Sequence, residues 1–199
     1  GGKTTTASLI SRLYDPTDGK VLLNGFDIRS YPPAERVKKI GFILQDPFLF
    51  SGTIRENILY GNEEYNHFTN EQLHEVFVES GLETLLQRFE NGFETKVNMS
   101  GESISLGQKQ LVAFMRAVLR KPELLILDEA TANIDTLTEK LLEEILHKLP
   151  AQTTKVIIAH RLNTIANADV IYFVNDGMVT RAGSLADAMD LLMKGKMAS

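Results

Sequence analysis

The segment 124–129 places the strongest constraint on how this chain can fold. Its first four residues, from Leu124 to Leu127, are all apolar, and the acids Asp128 and Glu129 follow directly. A short strand that is apolar at every position is expected where both faces of a sheet are covered, as in parallel sheets flanked by helices. Ligands of such sheets bind at the carboxyl ends of the strands. The segment therefore predicts an α/β fold with two carboxylates at the ligand-binding edge of its sheet.

Strand and helix patterns alternate along most of the chain, which indicates a mainly parallel sheet. We predict strands at 20–23, 26–28, 40–44, 124–127, 155–159, 170–174 and 178–181, and helices at 4–13, 105–120, 138–148, 162–166 and 184–193. The dipeptide Asn24-Gly25 predicts a hairpin between the first two strands. Region 53–105 breaks the alternation with helical patterns near 53–60, 70–79 and 82–88. We therefore predict a core formed by 1–52 and 106–199, with 53–105 as an inserted helical subdomain.

Composition excludes several classes of function. The net charge of −5 leaves no general basic field, so we expect no nucleic acid partner. The sequence has no cysteine, which excludes disulfides, thiolate metal sites and cysteine nucleophiles. Its fully apolar runs, such as 124–127, are far too short to span a membrane. What remains is an ordinary globular composition, with 43% hydrophobic and 24% charged residues.

The chain begins with a polar motif that suits phosphate binding. Gly1, Gly2, Lys3 and Thr4 match the second half of the pattern G-x-x-x-x-G-K-[ST], which joins a strand to a helix. Glycine lets backbone N–H groups approach phosphate oxygens, lysine adds a positive charge, and the threonine hydroxyl can ligate Mg²⁺. The same residues are compatible with an ordinary helix start. Because the first half of the pattern is absent, we expect the chain to be a fragment that lacks the preceding strands.

Two chemical roles are open to the acids that follow the apolar strand. Asp128 can hold Mg²⁺ through its water shell, because this hard cation prefers oxygen ligands. Glu129 is then placed to orient or deprotonate an attacking water molecule. The alternative is a solvated Asp-Glu pair that caps the next element.

Three further positions carry polar groups at the ends of predicted elements. Ser105 and Gln108 have the S-x-x-Q spacing of a capping box, which predicts a helix start; alternatively, Ser105 and the Gly107 N–H donate to a phosphate there. Gln45 follows a predicted strand and can ligate Mg²⁺ or the attacking water, or merely cap a loop. His160 also follows a strand and can bond a γ-phosphate and the water, or serve only the structure.

Five motifs resemble, in sequence and in order, those of the ATP-binding-cassette (ABC) ATPases over essentially the whole chain. These motifs are Gly2-Lys3-Thr4, Gln45, Ser105 to Gln108, Asp128-Glu129 and His160. The resemblance implies a P-loop NTPase-like sheet flanked by helices, with a RecA-like core and a signature motif at the end of the helical subdomain. It also implies ATP and Mg²⁺ as cofactors and ATP hydrolysis as the reaction.

The resemblance also implies a role for each motif. Glu129, His160 and Gln45 correspond to the catalytic glutamate, the switch histidine and the glutamine loop. The implied ligands of Mg²⁺ are Thr4, Gln45 and Asp128. Two cassettes close head to tail, so that each nucleotide meets the phosphate loop of one copy and the signature of the other. The implied nucleotide-binding residues are Gly1, Gly2, Lys3, Thr4 and Thr5 in one copy, and Ser105, Gly107 and Gln108 in its partner.

Segment 45–58 resembles the exporter segment that receives the coupling helices of the transmembrane domain. This similarity implies a cassette at the cytoplasmic face of a membrane, with a transmembrane domain and a second cassette as its partners. The alternative interpretation is an amphipathic loop and helix with ordinary burial of Phe48, Leu49 and Phe50.

Three positions depart from the family pattern. Leu106 stands where the signature usually has glycine, Met99 where exporters usually have an acid, and Ala132 where serine is common. These departures leave open a weakly or non-hydrolysing cassette of a heterodimeric transporter. A soluble ABC ATPase without a transport role is a further alternative, which segment 45–58 disfavours. We also expect these 199 residues alone to bind ATP poorly and to aggregate, because the strand that feeds the phosphate loop is absent.

Overall fold

The computed structural model describes residues 2–98, 103–128, 134–159 and 165–197. Several residues with predicted roles lie outside these ranges: Gly1, Met99, Glu129, Ala132 and His160. Contacts divide the chain into two compact units, which are described separately below. The terminal unit contains Gly1–Ser30 and Ile157–Ser199, and the central unit contains Tyr31–Val156.

Helices and short strands alternate through the described residues. In chain order, the helices are α1 (Lys3–Ile10), α2 (Pro33–Lys39), α3 (Ile54–Leu59), α4 (Asn70–Glu79), α5 (Glu83–Leu86), α6 (Leu106–Leu119), α7 (Thr136–Lys148) and α8 (Leu185–Met197). The strands are β1 (Leu22–Leu23), β2 (Phe26–Asp27), β3 (Ile40–Ile43), β4 (Gly52–Thr53), β5 (Lys96–Val97), β6 (Leu124–Asp128), β7 (Thr154–Ile158), β8 (Ile171–Asn175) and β9 (Met178–Ala182). Most elements agree with the sequence predictions, whereas α2, β4 and β5 were not predicted. The helix predicted at 162–166 falls largely on residues outside the described ranges.

The apolar strand β6 lies in the middle of a three-stranded sheet of order β3-β6-β7. Strands β3 and β6 run parallel, with Ile40 opposite Leu124 and Ile43 opposite Leu127. All five residues of β6 are buried, which explains why the strand carries no polar residue before Asp128. The predicted α/β architecture with a parallel sheet is therefore confirmed.

The helices of region 53–98 share one hydrophobic core with α6 in the central unit. Leu73 and Phe77 of α4 and Leu85 of α5 are fully buried, and Phe77 packs edge-on against Phe93 with their ring centroids 5.0 Å apart. Capping boxes start α3 and α4, since Thr53 and Thr69 accept from the backbone N–H three residues later. The short pair β4–β5 joins the two ends of this helical region.

Two antiparallel hairpins belong to the terminal unit. The first joins β1 and β2 through Asn24 and Gly25, whose φ angles of 52° and 81° are those that a tight two-residue turn requires. This hairpin was predicted from the Asn-Gly pair and is confirmed. The second hairpin joins β8 and β9 and turns at Asp176 and Gly177. Among the helices of the described chain, none has the length and apolar character needed to cross a membrane.

Candidate functional site

The N-terminus of α1, in the terminal unit, has the local geometry of an anion site. Gly2 precedes the helix with a φ of 111°, a left-handed angle that favours glycine, and a Cβ atom there would also lie close to Val174 Cγ1, at 3.2 Å. As the N-cap residue, Gly2 has no side chain with which to cap this end of the helix. Thr4 and Thr5 are exposed and Lys3 is half-buried. Because the first backbone N–H groups of a helix have no partner within it, this polar turn fits a phosphate group.

The carboxyl ends of β3 and β6 lie side by side in the central unit. Ile43 pairs with Leu127 in parallel register, so the segment that contains Gln45 and the end of β6 share one edge of the sheet. Asp128 is only 6% exposed, and Gln45 is exposed. Carboxylate and amide oxygens are suitable donors for Mg²⁺, either directly or through water. Within the described ranges, no three His, Asp or Glu side chains cluster as a metal site.

The predicted capping box at the start of α6 is confirmed. Ser105 Oγ accepts from the Gln108 backbone N–H at 3.1 Å, and Gln108 Oε1 accepts from the Ser105 N–H at 3.0 Å. The Ser105 hydroxyl still has its own proton to donate, since a serine oxygen can accept and donate at once. Leu106, which departs from the family pattern, is the first residue of the helix and is partly exposed. The capping function does not conflict with a phosphate role, which stays a prediction.

Side chains of α6 bond backbone carbonyls of segment 45–58, and the sequence did not predict these contacts. Gln110 Nε2 donates to the Gln45 carbonyl oxygen at 2.8 Å. Arg116 donates from Nε to the Asn57 carbonyl at 2.7 Å and from Nη1 to the Phe48 carbonyl at 3.3 Å. Burial first, and then the charge of Arg120, lower the pKa of Arg116 to about 10, and it still carries its proton at neutral pH. The only sequence signal for this set was the presence of polar residues within an otherwise apolar helix.

Segment 45–58 also contributes to an exposed aromatic surface, formed by Phe48, Phe50 and Tyr60. Phe48 is 69% exposed and Tyr60 is 56% exposed. The Phe50 ring lies 5.0 Å from the Phe48 ring and 4.4 Å from the Tyr60 ring, measured between centroids. The three rings line a groove of about 200 Å³. Ordinary burial of this segment, the alternative interpretation, is therefore wrong for Phe48 and Phe50, whereas Leu49 packs against the core.

The two units divide the predicted site residues between them. Gly2, Lys3, Thr4 and Thr5 belong to the terminal unit. The other described site residues belong to the central unit: Gln45, Ser105, Gly107, Gln108 and Asp128. Within that unit, the structure brings the Gln45 segment to the end of β6 and joins it to α6.

The fold and these residues define an α/β protein with polar groups at the carboxyl edge of a parallel sheet and with a helix that has glycine as its N-cap residue. The family model for ABC transporters matches residues 1–132. The ABC transporter ATP-binding protein YfiC of Bacillus subtilis is 46% identical over 183 residues, which are 92% of this chain and 30% of that protein. The fatty acid ABC transporter ATP-binding/permease protein of Mycobacterium tuberculosis is 40% identical over 188 residues, 94% of this chain and 29% of that protein.

The chain therefore belongs to the ABC transporter family, and the resemblance deduced from its motifs is confirmed. A solved structure of a bacterial Atm1-family ABC exporter with ATP bound is 33% identical and superposes with a TM-score of 0.80, covering 97% of this chain and 33% of that chain. The chain thus spans about three-tenths of the length of the curated relatives that it matches.

Proposed function

We propose that the chain binds and hydrolyses ATP to drive export, as the cassette of an ABC transporter. The observation that carries the proposal is the shared sheet edge at which the Gln45 segment lies beside Asp128, at the end of a fully buried parallel strand. Family membership supports ATP as the ligand. The names of several relatives, which combine an ATP-binding and a permease part, support export.

The residues fit a nucleotide with its Mg²⁺. Gly1, Gly2, Lys3 and Thr5 would bind the phosphates from the start of α1, whose N-cap glycine has no side chain of its own to compete for the N–H groups. Thr4, Gln45 and Asp128 would hold Mg²⁺, which neutralises phosphate charge when bound. Glu129 orients and deprotonates the attacking water, and His160 holds that water and the γ-phosphate in place. Catalysis then consists of positioning and charge neutralisation, without a covalent intermediate on the protein.

We propose a second cassette as one partner of this chain. Ser105, Gly107 and Gln108 stand at the exposed start of a helix, where a hydroxyl proton and the positive end of the helix dipole favour an anion. These groups would contact the nucleotide held by the partner's α1. ATP stabilises such a closed pair because it binds the closed state better than the open state.

The other proposed partner is a transmembrane domain that docks on segment 45–58. Such docking would put the cassette at the cytoplasmic face of a membrane. The exposed aromatic surface supports this proposal, because clustered exposed rings are typical of interaction sites. Two relatives are named as ATP-binding/permease proteins, which supports a permease part as the partner of this cassette.

The substitution Glu129→Gln in the full-length protein tests the proposed reaction. It keeps the shape of the side chain but removes the base, so phosphate release should fall to nearly nothing while ATP binding is preserved. Phosphate release and nucleotide binding are measured on the same preparation. The exposed Glu144 provides a matched control, and Glu144→Gln should leave both quantities unchanged. Near wild-type phosphate release by Glu129→Gln would refute the assigned role.

A second candidate function is an ATP-gated cassette that hydrolyses slowly or not at all. The observation in its favour is the side chain of Leu106, which is 36% exposed at the start of α6 and stands where the family usually has glycine. One relative, 41% identical, is named the mitochondrial potassium channel ATP-binding subunit of Xenopus tropicalis. ATP-dependent dimer formation without ATPase activity in the wild-type protein would favour this candidate over the first.

A further inference from the structure

Gln110 is a buried amide whose hydrogen bonds are only half satisfied. It lies in the second turn of α6 and is 1% exposed. Its Nε2 donates to the Gln45 carbonyl oxygen at 2.8 Å. Its Oε1 is also buried, and no described residue donates to it.

The stability of the fold does not explain why a glutamine occupies position 110. A buried acceptor without a donor costs about as much free energy as a buried hydrogen bond contributes. An apolar side chain of the same shape would remove the unsatisfied oxygen together with the bond to Gln45, and because Gln45 is exposed, water can replace the lost donor at its carbonyl oxygen. The stability gained and the stability lost would then nearly cancel. An unsatisfied polar group that persists in a native core calls for another explanation.

The hydrogen bond from Gln110 contacts segment 45–58 at one residue, Gln45. Arg116 already holds this segment at the Phe48 and Asn57 carbonyls. Gln110 adds the bond to Gln45 itself, two residues beyond the end of β3 and beside the end of β6. Because α6 is a regular helix anchored in the core, this bond fixes the Gln45 backbone relative to a rigid element.

We propose that Gln110 is a positioning residue, which holds the Gln45 backbone so that the Gln45 side chain reaches Mg²⁺ and the attacking water. This inference rests on the proposed function and adds to it a residue that acts through another. The same helix begins with Ser105 and Gln108, so α6 connects the glutamine loop to the signature motif within one cassette.

The test is Gln110→Met in the full-length protein. Methionine matches the length of glutamine and is apolar, so the midpoint of thermal unfolding should not change. We expect kcat for ATP hydrolysis to fall about ten- to a hundredfold, because small displacements of a catalytic group have effects of this size. KM for ATP should stay within about twofold, since the phosphate contacts of α1 are unaffected. The double variant Gln110→Met/Gln45→Ala should be no slower than Gln45→Ala alone, because both changes remove one function.

Thr153→Val is the matched control, because Thr153 is also buried and donates to a backbone carbonyl, that of Pro122 at 3.3 Å. It should leave kcat unchanged. Unchanged kcat in Gln110→Met, or full additivity with Gln45→Ala, would overturn the inference.

If the wild-type protein shows no ATPase activity, the proposed function fails. The positioning role of Gln110 is then tested separately, by hydrogen exchange of the backbone amides near Gln45. Amides of residues 44–46 should exchange about tenfold faster in Gln110→Met, and equal rates would overturn the positioning role.

Discussion

At the scale of single residues, Gly41 shows how closely β3 approaches its neighbours. A Cβ atom at this position would lie 3.0 Å from Leu125 Cδ1 and 3.4 Å from Ala117 Cβ. Both contacts are with buried residues of β6 and α6, which cannot move freely. Gly41→Ala should therefore lower the free energy of unfolding by about 1–3 kcal/mol through overpacking. Urea denaturation of the variant and the wild type measures the difference.

Gly183 is the matched control for that prediction. Among the described residues, a methyl group there would come close only to the Asp187 carboxylate, which ends an exposed side chain and accepts a hydrogen bond from Ser184. Gly183→Ala should therefore change the free energy of unfolding by less than Gly41→Ala does. Equal stability of Gly41→Ala and the wild type would show that β3 can shift away from α6.

The sequence predicted the structural role of a residue only where the groups that define this role lie close to it along the chain. The capping pair of Ser105 and Gln108 was predicted because both partners lie within one helical turn. Asp128 was predicted because the four preceding residues define a buried strand that ends there. Gln110 was missed because its partner, Gln45, is 65 residues away and contributes only a backbone carbonyl, which every residue has.

At the scale of elements, strong local signals gave the correct predictions. The β1–β2 hairpin follows from Asn24-Gly25 alone, since this pair accepts the positive φ angles of the turn. Helix α2 was missed because it buries none of its residues and so has no apolar periodicity, although Pro33 at its start suits a helix N-terminus. The β4–β5 pair was missed because each strand has two residues and its register, Gly52 opposite Val97, depends on the tertiary fold.

The cap of α3 makes the stability of this element depend on pH. The Thr53 backbone N–H donates to the Glu56 carboxylate and holds the pKa of Glu56 below its usual value of 4.5. A lowered carboxyl pKa adds stability that is present above the unfolded pKa and is lost as pH falls through the folded pKa. The wild type should therefore be more stable than Glu56→Gln at pH 7, and the difference should disappear well below pH 4.5. Urea denaturation across this pH range measures both proteins.

Thr53→Ala removes the uncharged acceptor of the cap together with one hydrogen bond to the Glu56 carboxylate. The variant loses the Thr53 Oγ1 acceptor for the Glu56 N–H and should be about 1 kcal/mol less stable than the wild type. The part of this loss that comes from the Oγ1 acceptor should persist at acidic pH, because that group does not titrate, whereas the Thr53 hydroxyl bond to the Glu56 carboxylate, which helps to lower the pKa of Glu56, is charge-assisted only above that pKa. A difference between the wild type and Glu56→Gln that stays constant with pH would contradict the charged cap.

At the scale of the whole molecule, the order of motifs carried more information than any single motif. The Gly2-Lys3-Thr4, Ser105 to Gln108 and Asp128 motifs each had a plain structural alternative, and the capping alternative is true for Ser105. Their order along one chain identified the family, which the comparisons confirm. The sequence could not reveal the division into two units, because unit boundaries depend on contacts between distant segments.

If two cassettes pair head to tail, a chain with a defective α1 and a chain with a defective start of α6 should together form one complete ATP site. Lys3→Ala removes a phosphate contact in one copy. Gly107→Glu puts a carboxylate in the first turn of α6, where it suits the helix dipole and leaves the Ser105–Gln108 cap intact but repels a phosphate. Each variant alone should be inactive. In an equal mixture, half of the dimers combine both chains and have one intact site of two, so ATPase activity should recover to about a quarter of wild type.

The outcome distinguishes a shared site from a site built within one chain. If the signature contacted the nucleotide of its own copy, every site in the mixture would carry one defect, and the mixture would be as inactive as its components. The chain with both substitutions is the control, since two such copies form no intact site in either arrangement. Activity in the mixture and none in this control would establish that α6 of one cassette completes the phosphate site of the other.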